Sequence, residues 1–493
     1  MPKRKEPALL QDIAFDLMVS HCVNYCLRTS CHLDSKKLHR CIAKIKMQLF
    51  PLLPPNLSLV EDFCIKFFEM FKLSCWERSA MHRESYIAKA LEIMMDVKIR
   101  NLRCSHAYLN YLDCNDLHRF RGLESLEIHT FPSYDVSGIL EYFCLENLLE
   151  LYLPQQCNNN DLAIIGSHCP LLQVLDVSNS PDVDDYGLQA LKPCSDLRVL
   201  DFCFWRVSNV GVNDLLSAHP KLEELNVRKT VRLRMCVGLD FDVLSRPLTM
   251  VCPSMKRYCV RFKPITNEML RALITLFPNL TYLRIYGQVE GDLRLLQKLK
   301  NLSALDFSGG VSHPSTNNLR QLLTIIGANI SSLDMKNLYC IGVFLTQDDM
   351  NFLYESCKNV EYLTFVYERS SCGEKLVVPP FPKLKELDVE AKRVNNNRFP
   401  SHAAIEFGVL KQLETLRFEN FGPIVKITES IMFDHVRFPN LKKVLCEEAD
   451  EVGMRKINKI AKDNNLDFAM ECQPWPSTYW DRLGFMSTGW ILH

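Results

Sequence analysis

One leucine pattern recurs along this chain at nearly constant spacing. The pattern is Leu-x-x-Leu-x-apolar, and successive copies begin at Leu123, Leu148, Leu172, Leu197 and Leu222, which are 25, 24, 25 and 25 residues apart. A short strand, a turn and a helix fill such a period, and none of them can bury its apolar side alone. Neighbouring repeats must therefore stack, and the spacing predicts an α/β solenoid shaped as a curved horseshoe.

The leucine pattern also sets the expected domain limits. A degenerate copy precedes the regular ones, and further copies follow them at spacings of 22 to 33 residues, which indicates insertions at the solenoid edge. These copies begin at Ile99, Met255, Leu280, Leu302, Ile330, Val360, Leu384, Leu413 and Leu441. We therefore predict a helical module over 1–95, a repeat solenoid over 96–450 and a C-terminal cap over 451–493.

A second periodic signal lies just before the leucine pattern. A cysteine stands three residues ahead of several copies, at Cys169, Cys194, Cys252 and Cys357, and a proline often follows it. A small buried side chain followed by a proline is a suitable connection from helix to strand. Because these four cysteines share the repeat register, we predict that they are core residues rather than ligands or nucleophiles.

These residues resemble a known repeat. The segment Cys169-Pro170-x-Leu172-x-x-Leu175-x-Val177, followed by Asp184-Asp185-Tyr186-Gly187-Leu188, is similar to the cysteine-containing leucine-rich repeat. Ser208 and Thr266 stand in looser copies of the second segment, where a hydroxyl can cap a helix. The resemblance implies a leucine-rich-repeat fold, which presents a binding surface and carries no chemistry of its own.

Composition limits the classes of function and partner that the chain is expected to have. Lys+Arg and Asp+Glu are each 58, so net charge gives no argument for nucleic acid, which is an unlikely partner without a wider basic surface. No apolar stretch is long enough to span a membrane, and the 21 cysteines without a secretory signal favour the cytoplasm or the nucleus. Only 18 glycines occur, and none forms a phosphate-binding loop. We expect no enzyme, no cofactor and no metal.

The outward positions of the strands predict a client-binding surface. Alternate residues of each strand point out of the concave sheet, and the central repeats place arginine and tyrosine there. These residues are Arg228, Arg257, Arg261, Tyr282, Arg284 and Tyr286. Arginine and tyrosine are enriched in binding hot spots, and guanidinium groups suit carboxylates and phosphates. The cluster predicts a client protein with an acidic or phosphorylated peptide, although scattered charges on a polar solenoid face explain it equally well.

The first ninety residues carry helical rather than leucine-repeat spacing, and two families resemble them. Leu10, Ala14 and Met18, followed by Leu53, Pro54 and Leu57, resemble the elongin-binding and cullin boxes of Zyg- and Zer-type receptors, although that family usually has cysteine in place of Ala14. The Leu-Pro segment with Phe63, Phe67, Phe68 and Trp76 also resembles a degenerate F-box, which implies docking to a Skp-type adaptor. A helical cap that shields the open end of the solenoid is the third interpretation.

One further group requires a metal test. Cys22, Cys26, Cys31, His32, His39 and Cys41 lie within twenty residues, but no paired C-x-x-C motif occurs, so core helices with scattered thiols are favoured over zinc.

The sequence as a whole predicts a substrate-recognition adaptor of a cullin-type ubiquitin ligase. Its partners would be elongin C or a Skp-type adaptor, a cullin and a client protein. The alternative is a leucine-rich-repeat scaffold or inhibitor unrelated to ubiquitin.

Overall fold

Periodic burial builds the structure. The computed structural model describes residues 10–29, 35–53, 57–76, 83–95, 97–109, 111–120, 122–129, 137–154, 157–178, 180–202, 206–225, 251–261, 265–286, 289–307, 316–335, 345–367, 375–391, 405–419, 431, 434, 436–446, 451–463 and 469–472. Within these residues, contacts divide the chain into an N-terminal unit that ends at Leu222 and a C-terminal unit that begins at Glu223.

The N-terminal unit begins with four helices and continues as repeats. Its helices are α1 Leu10–Thr29, α2 Ser35–Leu49, α3 Leu57–Trp76, α4 Arg83–Ala90, α5 His106–Leu109, α6 Cys114–Leu117, α7 Ser137–Leu140, α8 Asn159–His168, α9 Asp185–Ala190 and α10 Asn209–Ala218. Its strands are β1 Asn101–Ser105, β2 Ser125–His129, β3 Glu150–Tyr152, β4 Val174–Val177 and β5 Val199–Phe202. Short 3-10 turns span Phe50–Leu52 and Leu91–Ile93.

The C-terminal unit continues the succession of strands and helices. Its strands are β6 Glu224–Leu225, β7 Arg257–Arg261, β8 Tyr282–Tyr286, β9 Ala304–Asp306, β10 Ser332–Asp334, β11 Tyr362–Tyr367, β12 Leu376–Val378, β13 Glu386–Ala391, β14 Ile405–Phe407, β15 Thr415–Glu419, β16 Lys443–Cys446 and β17 Ala469–Cys472. Its helices are α11 Asn267–Leu276, α12 Thr316–Ile326, α13 Gln347–Ser356 and α14 Glu451–Asp463, with 3-10 turns at Leu293–Lys298 and Gly327–Asn329.

Strand register confirms the predicted leucine-rich-repeat fold. In the N-terminal unit the second leucine of each pattern pairs with its counterpart in parallel strands, from Leu102 through Leu126, Leu151 and Leu175 to Leu200. In the C-terminal unit the corresponding row is Leu225, Tyr258, Leu283, Leu305, Leu333, Leu363, Leu387, Leu416, Val444 and Met470. The leucines of the pattern are buried wherever their side chains are described. Both units are therefore α/β solenoids.

The row extends one strand further than the sequence indicated. Strand β17 pairs in parallel with β16, and Met470 occupies the position of the second leucine, after helix α14. The proposed C-terminal cap at 451–493 thus begins with another helix and strand of repeat character. The domain limits 1–95, 96–450 and 451–493 remain a proposal.

The periodic cysteines lie in the core, as predicted. Cys169, Cys194 and Cys357 are fully buried and Cys252 nearly so. Burial raises the pKa of the Cys169 and Cys357 thiols to about 12, so both stay protonated at neutral pH. The Cys194 thiol donates to the backbone carbonyl of Cys169 at 3.4 Å, which links two neighbouring repeats. These thiols stabilise the stack and are poor nucleophiles.

Two further contacts tie the outer layer of the repeats together. Ser208 caps α10 and Thr266 caps α11, as predicted. The Asn159 side chain accepts from the Asp184 amide at 3.1 Å, and the Asp185 side chain accepts from the Ser208 amide at 2.6 Å. The first helical residue of one repeat therefore accepts a hydrogen bond from the backbone amide of the capping residue in the next repeat.

Candidate functional site

The predicted arginine–tyrosine cluster lies mainly on two paired strands. Arg257 pairs with Tyr282 across β7 and β8, and Arg261 pairs with Tyr286. Arg284 follows Tyr282 by two residues, so both lie on the same strand face. Arg228 falls outside the described residues, and the side chains of Arg261 and Tyr286 do so as well. Arg257, Tyr282 and Arg284 therefore form the described part of this surface, which we call the strand-face cluster.

A buried carboxylate holds two members of this cluster. Asp306 on β9 accepts from Arg284 Nε at 2.7 Å and from the Tyr282 hydroxyl at 2.5 Å, through the same Oδ2 atom. Only 8% of the Arg284 side chain and 3% of the Asp306 side chain are exposed. The guanidinium charge of Arg284 is thus compensated inside the protein. Arg284 fixes the position of Tyr282 through Asp306 and is not a surface cation.

The protonation states of this triad follow from its surroundings. Burial raises the pKa of Tyr282, and the Asp306 carboxylate raises it further, so the phenol stays neutral and donates its proton to Asp306. Burial acts against the charged form of Arg284, but Asp306, Tyr282 and Cys259 together outweigh it, so the pKa of Arg284 is raised. The arrangement is a charge-assisted hydrogen-bonded group that keeps the Tyr282 ring in place.

Arg257 is the exposed member of the cluster. Its guanidinium lies over the Tyr282 ring, 4.7 Å from the centroid, and 44% of its side chain is exposed. Glu224 lies 3.4 Å from one guanidinium nitrogen, which leaves donor positions facing solvent. A guanidinium stacked on a fixed aromatic ring is preorganised for carboxylate or phosphate groups.

Sequence reasoning missed Asp306 and Glu224. Both lie at outward positions of neighbouring repeats, in register with Arg284 and Arg257 respectively across adjacent strands. The alternation rule that selected the arginines also places both carboxylates at outward positions. The rule does not predict burial, because alternation assigns a side chain to a face of the sheet and does not say how far neighbouring side chains cover it.

The α1 stripe is the second candidate surface. Ala14 is exposed, 56% of Leu17 is exposed, Met18 is half-buried and 39% of Tyr25 is exposed, and their spacing places them along the outer part of one helix. The predicted residue Leu10 begins α1, but its side chain, all of Pro54 and the side chain of Leu57 fall outside the described residues. Leu53 is half-buried and follows the 3-10 turn Phe50–Leu52.

Helix α3 supplies the hydrogen-bond acceptor at the start of the first strand, β1. Glu61 on α3 accepts from the backbone amide of Arg100 at 2.7 Å and from that of Asn101 at 3.0 Å, through Oε1. In the next repeat the equivalent amides, of Glu124 and Ser125, both donate to the backbone carbonyl of Arg100 in the preceding repeat. The carboxylate of Glu61 therefore takes the place of a missing repeat. Helix α3 thus has the role expected of a cap at the end of the solenoid, whereas α1 has an exposed apolar stripe.

The cysteine group of the first helices gives no metal site in the described part of the chain. Cys26 and Cys41 are buried and their thiols interact, whereas His39 bonds to Glu92 at 2.6 Å. Cys31 and His32 fall outside the described residues. Among described residues, no group of three or more His, Cys, Asp or Glu side chains is arranged to hold a metal ion.

In the described ranges, none of the helices combines the length and the apolar character that a bilayer crossing requires.

The known proteins that are similar to this chain include leucine-rich-repeat proteins. No protein-family model matches this chain. The putative F-box/LRR-repeat protein 21 of Arabidopsis thaliana is 29% identical over an alignment of 142 residues, and the alignment covers 24% of this chain and 47% of the relative. The match thus spans about half the length of that relative.

Several solved structures are similar at low sequence identity. An internalin of Listeria monocytogenes shares 13% identity, with 78% of this chain and 88% of that chain covered and a TM-score of 0.26. A leucine-rich-repeat protein of Leptospira interrogans shares 15%, with 78% and 98% covered and a TM-score of 0.34. The TLR13–ssRNA13 complex shares 15%, with 73% and 50% covered and a TM-score of 0.29. Because these scores are low, the fold assignment depends on the strand register and burial of this chain.

Proposed function

We propose that this protein is a substrate-recognition subunit of a cullin-type ubiquitin ligase. The helical module would dock on a small adaptor, the repeats would bind a client protein, and catalysis would belong to other chains. The observation that carries the proposal is a difference between helices α3 and α1. Glu61 on α3 closes the repeat stack, whereas α1 leaves large apolar side chains exposed.

The exposed stripe of α1 supports docking because apolar side chains exposed along one helix face can form an interaction surface. Leu17 and Met18 project from a helix whose opposite side is anchored by buried Val19, Val23 and Cys26. An apolar helix face of this kind suits a hydrophobic groove of a partner. The resemblance to the elongin-binding box favours elongin C, and the relative's F-box/LRR name favours a Skp-type adaptor.

The strand-face cluster supports client binding through one exposed cation on a fixed ring. Arg257 lies over Tyr282, and Asp306 holds that tyrosine from below. We infer that the client supplies a carboxylate or a phosphate to Arg257 and an apolar contact to Tyr282. Arg284 would contribute through position rather than contact.

Adaptor docking can be tested with purified components. The full chain is mixed separately with the elongin B–elongin C pair and with a Skp-type adaptor, and complexes are detected by size-exclusion chromatography. Leu10→Ala and Leu17→Glu should abolish the complex and leave the melting temperature nearly unchanged. Ile325→Glu, at a side chain 49% exposed on α12, is the matched control and should bind normally.

Failure of the unmodified chain to bind either adaptor would contradict the ubiquitin-ligase proposal. The alternative would then be favoured, in which the protein is a leucine-rich-repeat scaffold or inhibitor that acts on the client alone.

Client binding can be tested separately on arrays of acidic and phosphorylated peptides. Arg257→Ala should weaken binding by about tenfold, since hot-spot truncations cost upward of ~1 kcal/mol. Lys256→Ala removes a neighbouring cation that pairs with Glu223 at 2.6 Å, and it should bind as the unmodified chain does. Equal binding by both variants would remove Arg257 from the site.

A further inference from the structure

Glu224 is the carboxylate next to the exposed cation of the strand-face cluster. It lies on β6 in register with Arg257 on β7, and Arg257 lies in register with Tyr282 on β8. Residues in register on neighbouring strands are about 5 Å apart and point to the same side of the sheet. One Glu224 oxygen lies 3.4 Å from Nη1 of Arg257, and 24% of the Glu224 side chain is exposed. Any anion that binds Arg257 therefore has Glu224 as a close neighbour.

The contact with Glu224 leaves one side of the Arg257 guanidinium available. Glu224 accepts from Nη1, and among the described residues no partner is found for Nε or Nη2. Those two nitrogens direct parallel N–H groups to one side, where they can bind two oxygens of a single anion. The Tyr282 ring supports the guanidinium from below, 4.7 Å away. A ligand anion can therefore bind beside Glu224 without displacing it.

Other charges around Arg257 act equally on the protein with Glu224 and on a variant without it. Lys256 and Arg284 each have an acidic partner of their own, at 2.6 and 2.7 Å respectively. The side chain of Arg261 lies outside the described residues. A substitution of Glu224 alone changes only its own interaction with the ligand, so the influence of these neighbours cancels when the two proteins are compared.

We propose that Glu224 is a specificity-determining residue that biases the strand-face cluster towards carboxylates and against phosphates. The inference rests on the proposed binding of a client anion at Arg257. A phosphate monoester carries a charge of about −1.5 to −2 at neutral pH, whereas a carboxylate carries one negative charge. Coulomb repulsion is proportional to the ligand charge. Glu224 therefore opposes a phosphate nearly twice as strongly as it opposes a carboxylate.

The hydrogen-bonding capacity of the site favours a carboxylate as well. The two oxygens of a carboxylate match the two parallel donors of Arg257. The third oxygen of a phosphate requires a further donor, and on the Nη1 side it meets Glu224, whose ionised carboxylate can only accept. The client is then recognised through an aspartate or glutamate side chain, and its binding requires no prior phosphorylation.

The test follows the side-chain Nε signal of Arg257 by NMR, in the full chain made with isotopically labelled arginine. The signal is identified by its loss in Arg257→Ala. The probes are two tripeptides with blocked ends, Gly-Glu-Gly and Gly-phosphoserine-Gly, titrated at a pH of about 7.5, where the phosphate is mainly a dianion. Glu224→Gln removes the charge and keeps an acceptor oxygen for Nη1. Glu414→Gln is the matched control, since Glu414 pairs with Lys442 at 2.9 Å on other repeats.

Glu224→Gln should strengthen binding of the glutamate peptide about threefold and binding of the phosphoserine peptide about tenfold, because the repulsion removed is proportional to the ligand charge. The gain for the phosphoserine peptide should thus be close to the square of the gain for the glutamate peptide. Glu414→Gln should change neither affinity. Equal gains for the two probes, or no gain, would overturn the inference. Weaker binding of both probes would also overturn it, because Glu224 would then serve to position Arg257.

The same titrations separate this inference from the client-binding proposal. If the Arg257 signal of the unmodified chain responds to neither probe, Arg257 binds no anion and both proposals fail. If it responds to both probes and Glu224→Gln leaves the ratio of the two affinities unchanged, the inference alone fails. The melting temperature of Glu224→Gln should be nearly unchanged, since an exposed ion pair contributes little to stability.

Discussion

The first strand of the N-terminal unit and the strands behind it obtain their hydrogen-bond partners in different ways. The amides of Glu124 and Ser125 donate to a backbone carbonyl of the previous repeat, whereas those of Arg100 and Asn101 donate to the Glu61 side chain. Interior repeats need only be alike, because each supplies what the next requires. The terminal repeat needs one specific residue from another part of the chain. Periodicity therefore builds the stack, and a non-periodic side chain ends it.

The largest expected effect tests the interior of this comparison. Leu175 is fully buried in the row of strand leucines, whereas 45% of Leu171, four residues earlier, is exposed. Leu175→Ala should lower the free energy of unfolding by about 2–5 kcal/mol, since it removes core contacts and leaves a cavity. Leu171→Ala should change it by less than ~0.5 kcal/mol. Urea denaturation measures both, and similar losses would contradict the predicted burial pattern.

A smaller loss should come from the helix layer between repeats. A methyl group added to Gly166 on α8 would lie 1.9 Å from the carbonyl oxygen of Ala190. Gly166→Ala should therefore force α8 and the following helix apart, at a cost of about 1–3 kcal/mol. Ser167→Ala, at the exposed neighbour, is the control and should cost little. If Gly166→Ala is neutral by the same denaturation assay, the close contact between neighbouring repeats is not required.

The smallest effect depends on pH and concerns the cysteine register. His219 stands where Cys169 and Cys194 stand in the two preceding repeats, and 1% of it is exposed. Burial lowers the pKa of His219, and a weaker interaction with the backbone of Cys194 opposes this shift. The unfolded chain therefore binds the proton more tightly than the folded chain does.

Stability from neutral His219 should be present above the unfolded pKa of ~6.5 and fall as pH drops below it. His219→Cys restores the residue type of the repeat and should reduce this dependence. Thermal melts at a series of pH values between neutral and acidic measure the difference. Identical pH profiles for both proteins would show that His219 does not titrate on unfolding in this range.

Much of the fold could be predicted from sequence because burial repeats. The strand leucines, the four core cysteines and the capping hydroxyls of Ser208 and Thr266 all occur at regular positions, and the structure confirms them. Other contacts were missed although they also recur. Asn279, Asn359 and Asn440, each just before a leucine pattern, donate to carbonyls of the preceding repeat. Their signal was present, but polar residues in turns have several explanations.

Departures from the repeat could not be predicted. Strands β12 and β14 pair with each other outside the row of leucine strands, and the Gln347 side chain bonds both the amide and the carbonyl of Val377. In the strand-face cluster, sequence placed Arg257, Tyr282 and Arg284 together but did not predict the burial of Arg284, which pairs with Asp306 one strand away. Single contacts between distant residues leave no periodic trace.

The solenoid can begin at strand β1 because the Glu61 carboxylate substitutes for a missing repeat. Amide hydrogen exchange of Arg100 and Asn101 tests this, because both amides are protected only while an acceptor faces them. We predict that the two amides are protected in the unmodified protein and exchange much faster in Glu61→Ala, while Glu69→Ala on the exposed side of α3 leaves them protected. Unchanged protection of Arg100 and Asn101 in Glu61→Ala would contradict the account.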